Sequence, residues 1–291
     1  MKCELITAQT CDSLRLHGAL WRSQTQHPKI DLLIFIHGVG SNFYQSSLVR
    51  KIIPPLIDSG ISLLSINTRG HDFIFPAGTG HPEPWMGSAN EIVHDCTKDI
   101  HSWVEKSKRI GFERIGLFGH SLGAIKSIYS QAYQPHAEVA AVIAASPSCL
   151  SCSGFQQSHR AEEFLECLNW ANREIDAGNQ DQISQVSFPF QLMMSPKTFA
   201  DKYGVNERYN ILRFADKVRT PMLLSFGERE LRGNNPAFTN LDQLLHPVIQ
   251  DSPATELRVF PDGDHYYSGL QVELAKCILD WINNNNHLDT A

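Results

Sequence analysis

The feature that most constrains this chain is a rhythm in its apolar residues. Short apolar runs at residues 32–36, 61–66, 115–118, 139–143, 222–226 and 257–260 are each bounded by Gly, Pro or polar residues. Longer amphipathic stretches fill the gaps at 46–59, 88–107, 122–134, 236–248 and 268–283. A run that is apolar throughout must be buried on both faces, as parallel strands are when crossover helices cover them. Residues 14–21 alternate instead and predict an edge or antiparallel strand. The expected fold class is therefore α/β, a mostly parallel central sheet flanked by helices.

One interval breaks the rhythm. Between residue 144 and residue 222 lies far more chain than one crossover needs. Phe164, Leu165, Leu168 and Ile175 have helical spacing, residues 188–194 are aromatic and Met-rich, and Ser195-Pro196 is an N-cap followed by proline in the first helical position. A chain of 291 residues can hold one large core or two small ones. The pattern predicts a core of residues 1–149 and 215–291, interrupted by a small helical cap at 150–214. The asparagine run at 283–286 reads as a frayed C-terminal end.

Composition narrows the partners. A formal net charge of -6 leaves no broad positive field for nucleic acid, and the basic run Lys106-Ser107-Lys108-Arg109 closes a helical stretch where positive charge suits the helix end. The N-terminal Met1-Lys2-Cys3-Glu4 lacks the pattern of a secretory signal, and no run of about 18 apolar residues occurs, so a cytoplasmic protein without a membrane span is expected. Seven cysteines lack metal-type pairing, since Cys149 and Cys152 have no second pair, and they read as reduced thiols. No metal and no cofactor is implied. Oligomeric state is not encoded.

The chemistry begins at Gly119-His120-Ser121-Leu122-Gly123, between the apolar run 115–118 and the helical stretch from Leu122. G-x-S-x-G at a strand-to-helix turn is the nucleophile elbow. Its glycines admit a bend that side chains would block, and its serine is lifted clear at a helix N-terminus. A five-residue pattern alone arises by chance; its strand-turn-helix setting gives it weight.

With these residues the chain resembles the α/β-hydrolases over residues 32–282, most closely capped esterases, monoacylglycerol lipases and serine aminopeptidases. His37-Gly38-Val39-Gly40 is similar to that family's oxyanion loop. The resemblance implies Ser121 as nucleophile, with the backbone N–H groups of Val39 and Leu122 receiving the developing oxyanion. Asn67-Thr68-Arg69-Gly70 resembles a loop that usually begins with Asp; it is expected to be structural, and neither Arg69 nor His71 is given a catalytic role.

The family order of nucleophile, acid and histidine selects His265, after the last apolar run, as general base. The acid should follow the run 222–226, where Gly227-Glu228-Arg229-Glu230 favours Glu230, with Glu228 as second choice. Asp264 is expected to brace the loop. His120 is assigned to packing, and His246 to a helix end. Phe188, Phe190, Met193 and Met194, together with His37 and His120, are candidate pocket residues. The implied activity is hydrolysis of a carboxylic ester, or a related acyl bond in a small-molecule substrate, through an acyl-serine. Acyltransferase, thioesterase and peptidase chemistry would use the same residues, and a non-catalytic ligand-binding protein is the alternative outside enzymes.

Overall fold

The chain opens with two strands, β1 (Glu4–Gln9) and β2 (Arg15–Trp21), that pair antiparallel from Glu4↔Leu20 to Gln9↔Arg15. In β1, Ile6 and Ala8 turn inward while Leu5 faces water, the alternation of an edge strand, and β1 lies outside the predicted apolar runs. β2 then pairs antiparallel with β4 (Ser62–Ile66), and β4 lies parallel to β3 (Leu32–Ile36). Beyond β3 the sheet continues parallel through β5 (Ile115–His120), β6 (Val139–Ala145), β7 (Met222–Gly227) and β8 (Thr255–Phe260). The order among the described residues is β1-β2-β4-β3-β5-β6-β7-β8, a mostly parallel sheet as expected. This is a computed structural model describing residues 2–252 and 254–288. Met1, where the N-terminal reading starts, and the last three residues of the 215–291 segment lie outside them.

Every residue of β3, β4, β5, β6 and β7 is buried, which is why their sequences do not alternate. Helices supply the cover. On one face lie α1 (Ser47–Asp58), capped by Ser46 Oγ accepting from Val49 N–H, and α9 (Gln271–Asn284). Their buried stripes, Leu48-Val49-Ile52-Ile53-Leu56 and Leu274-Ala275-Ile278-Trp281-Ile282, pack with Leu33, Phe35, Leu63 and Phe118. On the other face α2 (Cys96–Arg109) and α3 (Leu122–Tyr133) pack with Ile34, Leu64, Leu117 and Val142. Each fully buried Leu, Ile or Phe contributes about 1.5–3 kcal/mol of transfer free energy.

Two helices begin more than a turn later than their sequence patterns predict. In the 88–107 stretch, Ser88 and Ala89 spend their N–H groups on the carbonyls of Asp72 and Phe73, so the α-helix starts only at Cys96. In the 236–248 stretch, Phe238 and Thr239 turn back onto the Asn235 carbonyl and Asn240 is left-handed (φ 54°). The helix there, α8, runs over Leu241–Ile249. The asparagine run is not a loose end: Asn283 and Asn284 close α9, and Asn283 Oδ1 lies 3.0 Å from His27 Nε2.

Between β6 and β7 come α4 (Cys152–Gln156), α5 (Ala161–Asp176), a two-stranded hairpin joining Ser184–Val186 to Leu192–Met194, α6 (Pro196–Tyr203) and two short 3-10 turns. The hairpin adds a short two-stranded sheet to the helices of the insertion. Ser195 caps α6 by accepting from Thr198 N–H, with Pro196 in the first turn. Phe155, Phe164, Phe188, Phe199 and Tyr203 form a ring cluster that runs without a break into the α2–α3 side of the main core. Among the described residues no helix is long and apolar enough to cross a membrane.

Candidate active site

β5 ends at His120, α3 begins at Leu122, and Ser121 makes the turn between them with φ 56° and ψ −123°. A non-glycine residue in that region carries strain of order 1–3 kcal/mol and persists only where its surroundings enforce it. The two flanking glycines allow the enforcement. A Cβ on Gly119 would lie 2.2 Å from the Gly123 carbonyl oxygen, and one on Gly123 would lie 2.1 Å from that of Ile36. Ser121 N–H is fixed to the Ala145 carbonyl at 2.9 Å. The hydroxyl is thus held at the mouth of the turn, beside the N-terminus of α3.

Gly38 lies against it; a Cβ there would stand 3.1 Å from Ser121 Cβ and 3.6 Å from its Oγ. Among the described residues neither Val39 N–H nor Leu122 N–H donates a hydrogen bond within the chain. Leu122 is the first residue of its helix, whose opening N–H groups have no intrahelical acceptor. His37 is buried: Nδ1 lies 2.7 Å from the Gly38 carbonyl oxygen, and Nε2 accepts from Thr68 N–H at 3.2 Å. Burial, reinforced by the charge of Lys126, pushes its pKa down to about 3, so the ring is neutral. Asn67, in the place where Asp is usual, accepts from Phe43 N–H through its side chain and from the Trp103 indole through its carbonyl. Arg69 is spent on Asp99 and Asp12. These bonds tie the loop to the segment after β3, to α2 and to Asp12.

Glu230 and His265 meet from two different loops. α7 (Glu228–Leu231) is a single turn after β7, and Glu230 Oε2 lies 2.8 Å from His265 Nδ1. The other carboxylate oxygen, Oε1, accepts from Gly227 N–H at 2.8 Å and from the hydroxyl of Ser146. Glu228 instead accepts from Asp262 N–H at the surface and does not meet the ring. Asp264 Oδ1 accepts from the N–H groups of Tyr266 and Ser268, bracing the loop that carries His265.

Ser121, His265 and Glu230 line one cavity of ≈ 680 Å³ together with Gly38, Val39 and Leu122. No hydrogen bond joins Ser121 Oγ to the His265 ring in this geometry. From the insertion come Leu150, Phe155, Pro189, Phe190 and Tyr203; the segment after β7 adds Asn234, Asn235 and Phe238. Of the predicted wall residues, Phe190 lines the cavity and is 51% exposed. Phe188 and Met194 do not: both are sealed in the core, because the hairpin turns alternate side chains inward. Met193, between the buried Leu192 and Met194 on the same strand, takes the opposite face and points to solvent. His37 and His120 reach the cavity wall, yet their ring atoms are engaged elsewhere.

His120 does more than pack. Its Nε2–H donates to the His265 carbonyl at 2.7 Å and its ring lies 4.9 Å from the His265 ring, so it anchors the loop that delivers that imidazole. Burial, then the neighbouring His265, lowers its pKa to about 3. Ser146 and Tyr267 were also missed. Ser146 has φ 51°, and its Oγ lies 3.2 Å from Tyr267 Oη, itself 2.9 Å from Ser225 Oγ. The only sequence signal for Ser146 was a polar residue directly after an apolar strand.

Among the described residues no group of three or more His, Cys, Asp or Glu could hold a metal ion. The arrangement offers a strained hydroxyl, an imidazole oriented by a carboxylate, and free N–H donors beside the hydroxyl.

A model described as the alpha/beta hydrolase family matches residues 33–274. No curated protein matches the sequence at a significant level. Among solved structures, the alpha/beta hydrolase GrgF from Penicillium sp. sh18 is similar with a TM-score of 0.71 at 18% identity, covering 98% of this chain and 99% of that one. The Pyrococcus furiosus esterase Pf2001 gives a TM-score of 0.66 at 18% identity, covering 97% and 91%. Est1E from Butyrivibrio proteoclasticus, solved with ferulic acid bound, gives 0.66 at 15% identity, covering 96% and 98%. At these identities the likeness to solved structures is one of fold.

Proposed function

Because the chain belongs to the alpha/beta hydrolase family, we propose that it is a serine hydrolase that cleaves a carboxylic ester of a small molecule through an acyl-serine at Ser121. The observation that carries this reading is the convergence, in one cavity, of the strained Ser121 with a His265 ring held by Glu230. A carboxylate on Nδ1 leaves Nε2 as the basic nitrogen and stabilises the imidazolium that forms.

In the proposed reaction, Ser121 Oγ attacks the acyl carbonyl as His265 Nε2 takes its proton. The carbonyl oxygen becomes an oxyanion received by Val39 and Leu122 N–H. His265 then protonates the departing alcohol oxygen. In the second half His265 takes a proton from water, whose oxygen attacks the acyl-serine, and returns it to Ser121 as the acid leaves. The Ser121–His265 hydrogen bond would form with substrate in place, as such bonds commonly tighten only in the working complex.

The insertion supplies a predominantly apolar roof, and a cap role for residues 150–214 fits an apolar acyl or aryl group lying beneath Phe155, Phe190 and Tyr203. Two of the similar structures are the esterase Pf2001 and Est1E with ferulic acid bound, which agrees with an ester as substrate. A fluorophosphonate probe should label the wild-type chain and leave Ser121→Ala unlabelled. Hydrolysis of p-nitrophenyl esters of rising chain length should vanish in the same variant. Undiminished hydrolysis by Ser121→Ala would refute the scheme. A labelled wild type that prefers thioesters, aminoacyl amides or an alcohol acceptor would reassign the bond.

A further inference from the structure

Behind the cavity, three charged side chains that the proposed reaction does not use are almost wholly buried. Lys126 on α3 pairs with Glu91, and Lys202 on α6 of the insertion approaches the other Glu91 oxygen at 3.4 Å. Burial alone would raise the Glu91 carboxyl, but the ammonium groups of Lys126 and Lys202 hold it down at about 2. Two buried ammonium groups on one carboxylate is a costly arrangement for packing alone.

The direction of the hydrogen bonds shows what it reaches. Lys126 Nζ has only donors, so at 2.9 Å the Thr68 hydroxyl oxygen must accept from it. The Thr68 hydroxyl proton is then free to point at His37 Nε2, 3.3 Å away, beside the Thr68 N–H that donates to the same nitrogen. With Nε2 accepting twice, the ring proton of neutral His37 sits on Nδ1 and is donated to the Gly38 carbonyl at 2.7 Å. In a planar trans peptide the C=O and the following N–H point in opposite directions. Fixing the Gly38 carbonyl toward His37 therefore turns Val39 N–H the other way, and Val39 lines the cavity.

We propose that Lys126 and Thr68 are positioning residues for the oxyanion donor Val39 N–H, acting through His37, and that Lys202 ties the insertion to the same relay. This rests on the reading of Ser121 as nucleophile and Val39 as donor. Removal of an oxyanion donor costs on the order of 10²–10³ in kcat, so loosening one should cost about tenfold.

The experiment compares wild type, Thr68→Val, Thr68→Ser and Lys126→Met on a p-nitrophenyl ester. It also measures affinity for a trifluoromethyl ketone, which adds to the serine as an oxyanionic hemiketal, and the melting temperature. Thr68→Val and Lys126→Met should lose about tenfold in kcat with KM within twofold, and ketone affinity should fall in parallel. Thr68→Ser, which keeps the hydroxyl, should restore both. If Lys126→Met does not fold, Thr68→Val against Thr68→Ser decides. A Thr68→Val enzyme with wild-type kcat and ketone affinity, whatever its melting temperature, overturns the relay while leaving the nucleophile reading intact. A wild type that neither labels with fluorophosphonate nor hydrolyses any ester overturns both.

Discussion

Glu230 Oε2 lies 2.8 Å from His265 Nδ1 across 35 residues of sequence, while the second oxygen of the same carboxylate is fixed by Gly227 N–H and the Ser146 hydroxyl. A carboxylate held at one oxygen cannot swing, so the imidazole it orients cannot swing either.

Glu230→Gln should therefore lower kcat for ester hydrolysis by about 10²-fold or more, since the amide can present a donor to Nδ1 and favour the wrong tautomer. Glu228→Gln, which loses only a surface contact to Asp262 N–H, should stay within about twofold. Steady-state kinetics on one chromogenic ester checks both; equal losses would reassign the acid.

Ser146→Ala removes a hydroxyl donor from a buried carboxylate. Hydrogen bonds to charged groups contribute about 1.5–3 kcal/mol, and a urea denaturation midpoint should fall by that equivalent, with kcat lowered alongside. Tyr267→Phe, one step farther back at Ser146 and Ser225, should cost less than half as much.

Gly123→Ala should not give a folded protein. The added methyl would sit 2.1 Å from the Ile36 carbonyl oxygen and 2.6 Å from that of His37, and backbone on both sides cannot yield. The expected loss exceeds about 4 kcal/mol, read as absence of a cooperative melt. A well-folded Gly123→Ala variant would contradict the elbow geometry.

Glu207, near the end of the insertion, accepts from Ser153 N–H at 2.7 Å and from the hydroxyls of Ser153 and Ser151, with Asn210 on its other oxygen. Burial pushes its carboxyl up, yet these donors outweigh burial and hold it at about 2, against 4.5 for an ordinary glutamate. A folded pKa below the unfolded one means stability fully present above pH 4.5 and lost as pH falls from there toward 2. Glu207→Gln should be less stable than wild type at pH 7 by about 1 kcal/mol, allowing for solvent screening. The gap should close across that acid range. Thermal melts by circular dichroism at pH 7, 4 and 2.5 test the sign.

The strands were legible because burial on both faces leaves an unmistakable run of apolar residues: the predicted 32–36 coincides with β3, and 222–226 falls one residue short of β7. Helix starts were less legible. At residues 88 and 89 the backbone N–H groups go to the carbonyls of Asp72 and Phe73, a choice made by a distant loop. The hydrophobic residues of the 188–194 stretch illustrate the same limit, since Phe190 lines the cavity while Phe188 and Met194 are sealed away.

By itself the sequence determined the layered sheet and the position of the strained serine, because both depend on short-range facts: side-chain size at two glycines, and apolar runs that have to leave water. Tertiary structure decided which of two glutamates two residues apart faces the imidazole, that His120 anchors the His265 loop, and that Lys126 reaches His37 through Thr68. Those outcomes turn on the directions of single side chains brought together from residues 31 to 145 positions apart. A hydrogen bond forms or fails over a fraction of an ångström that only the packed chain sets.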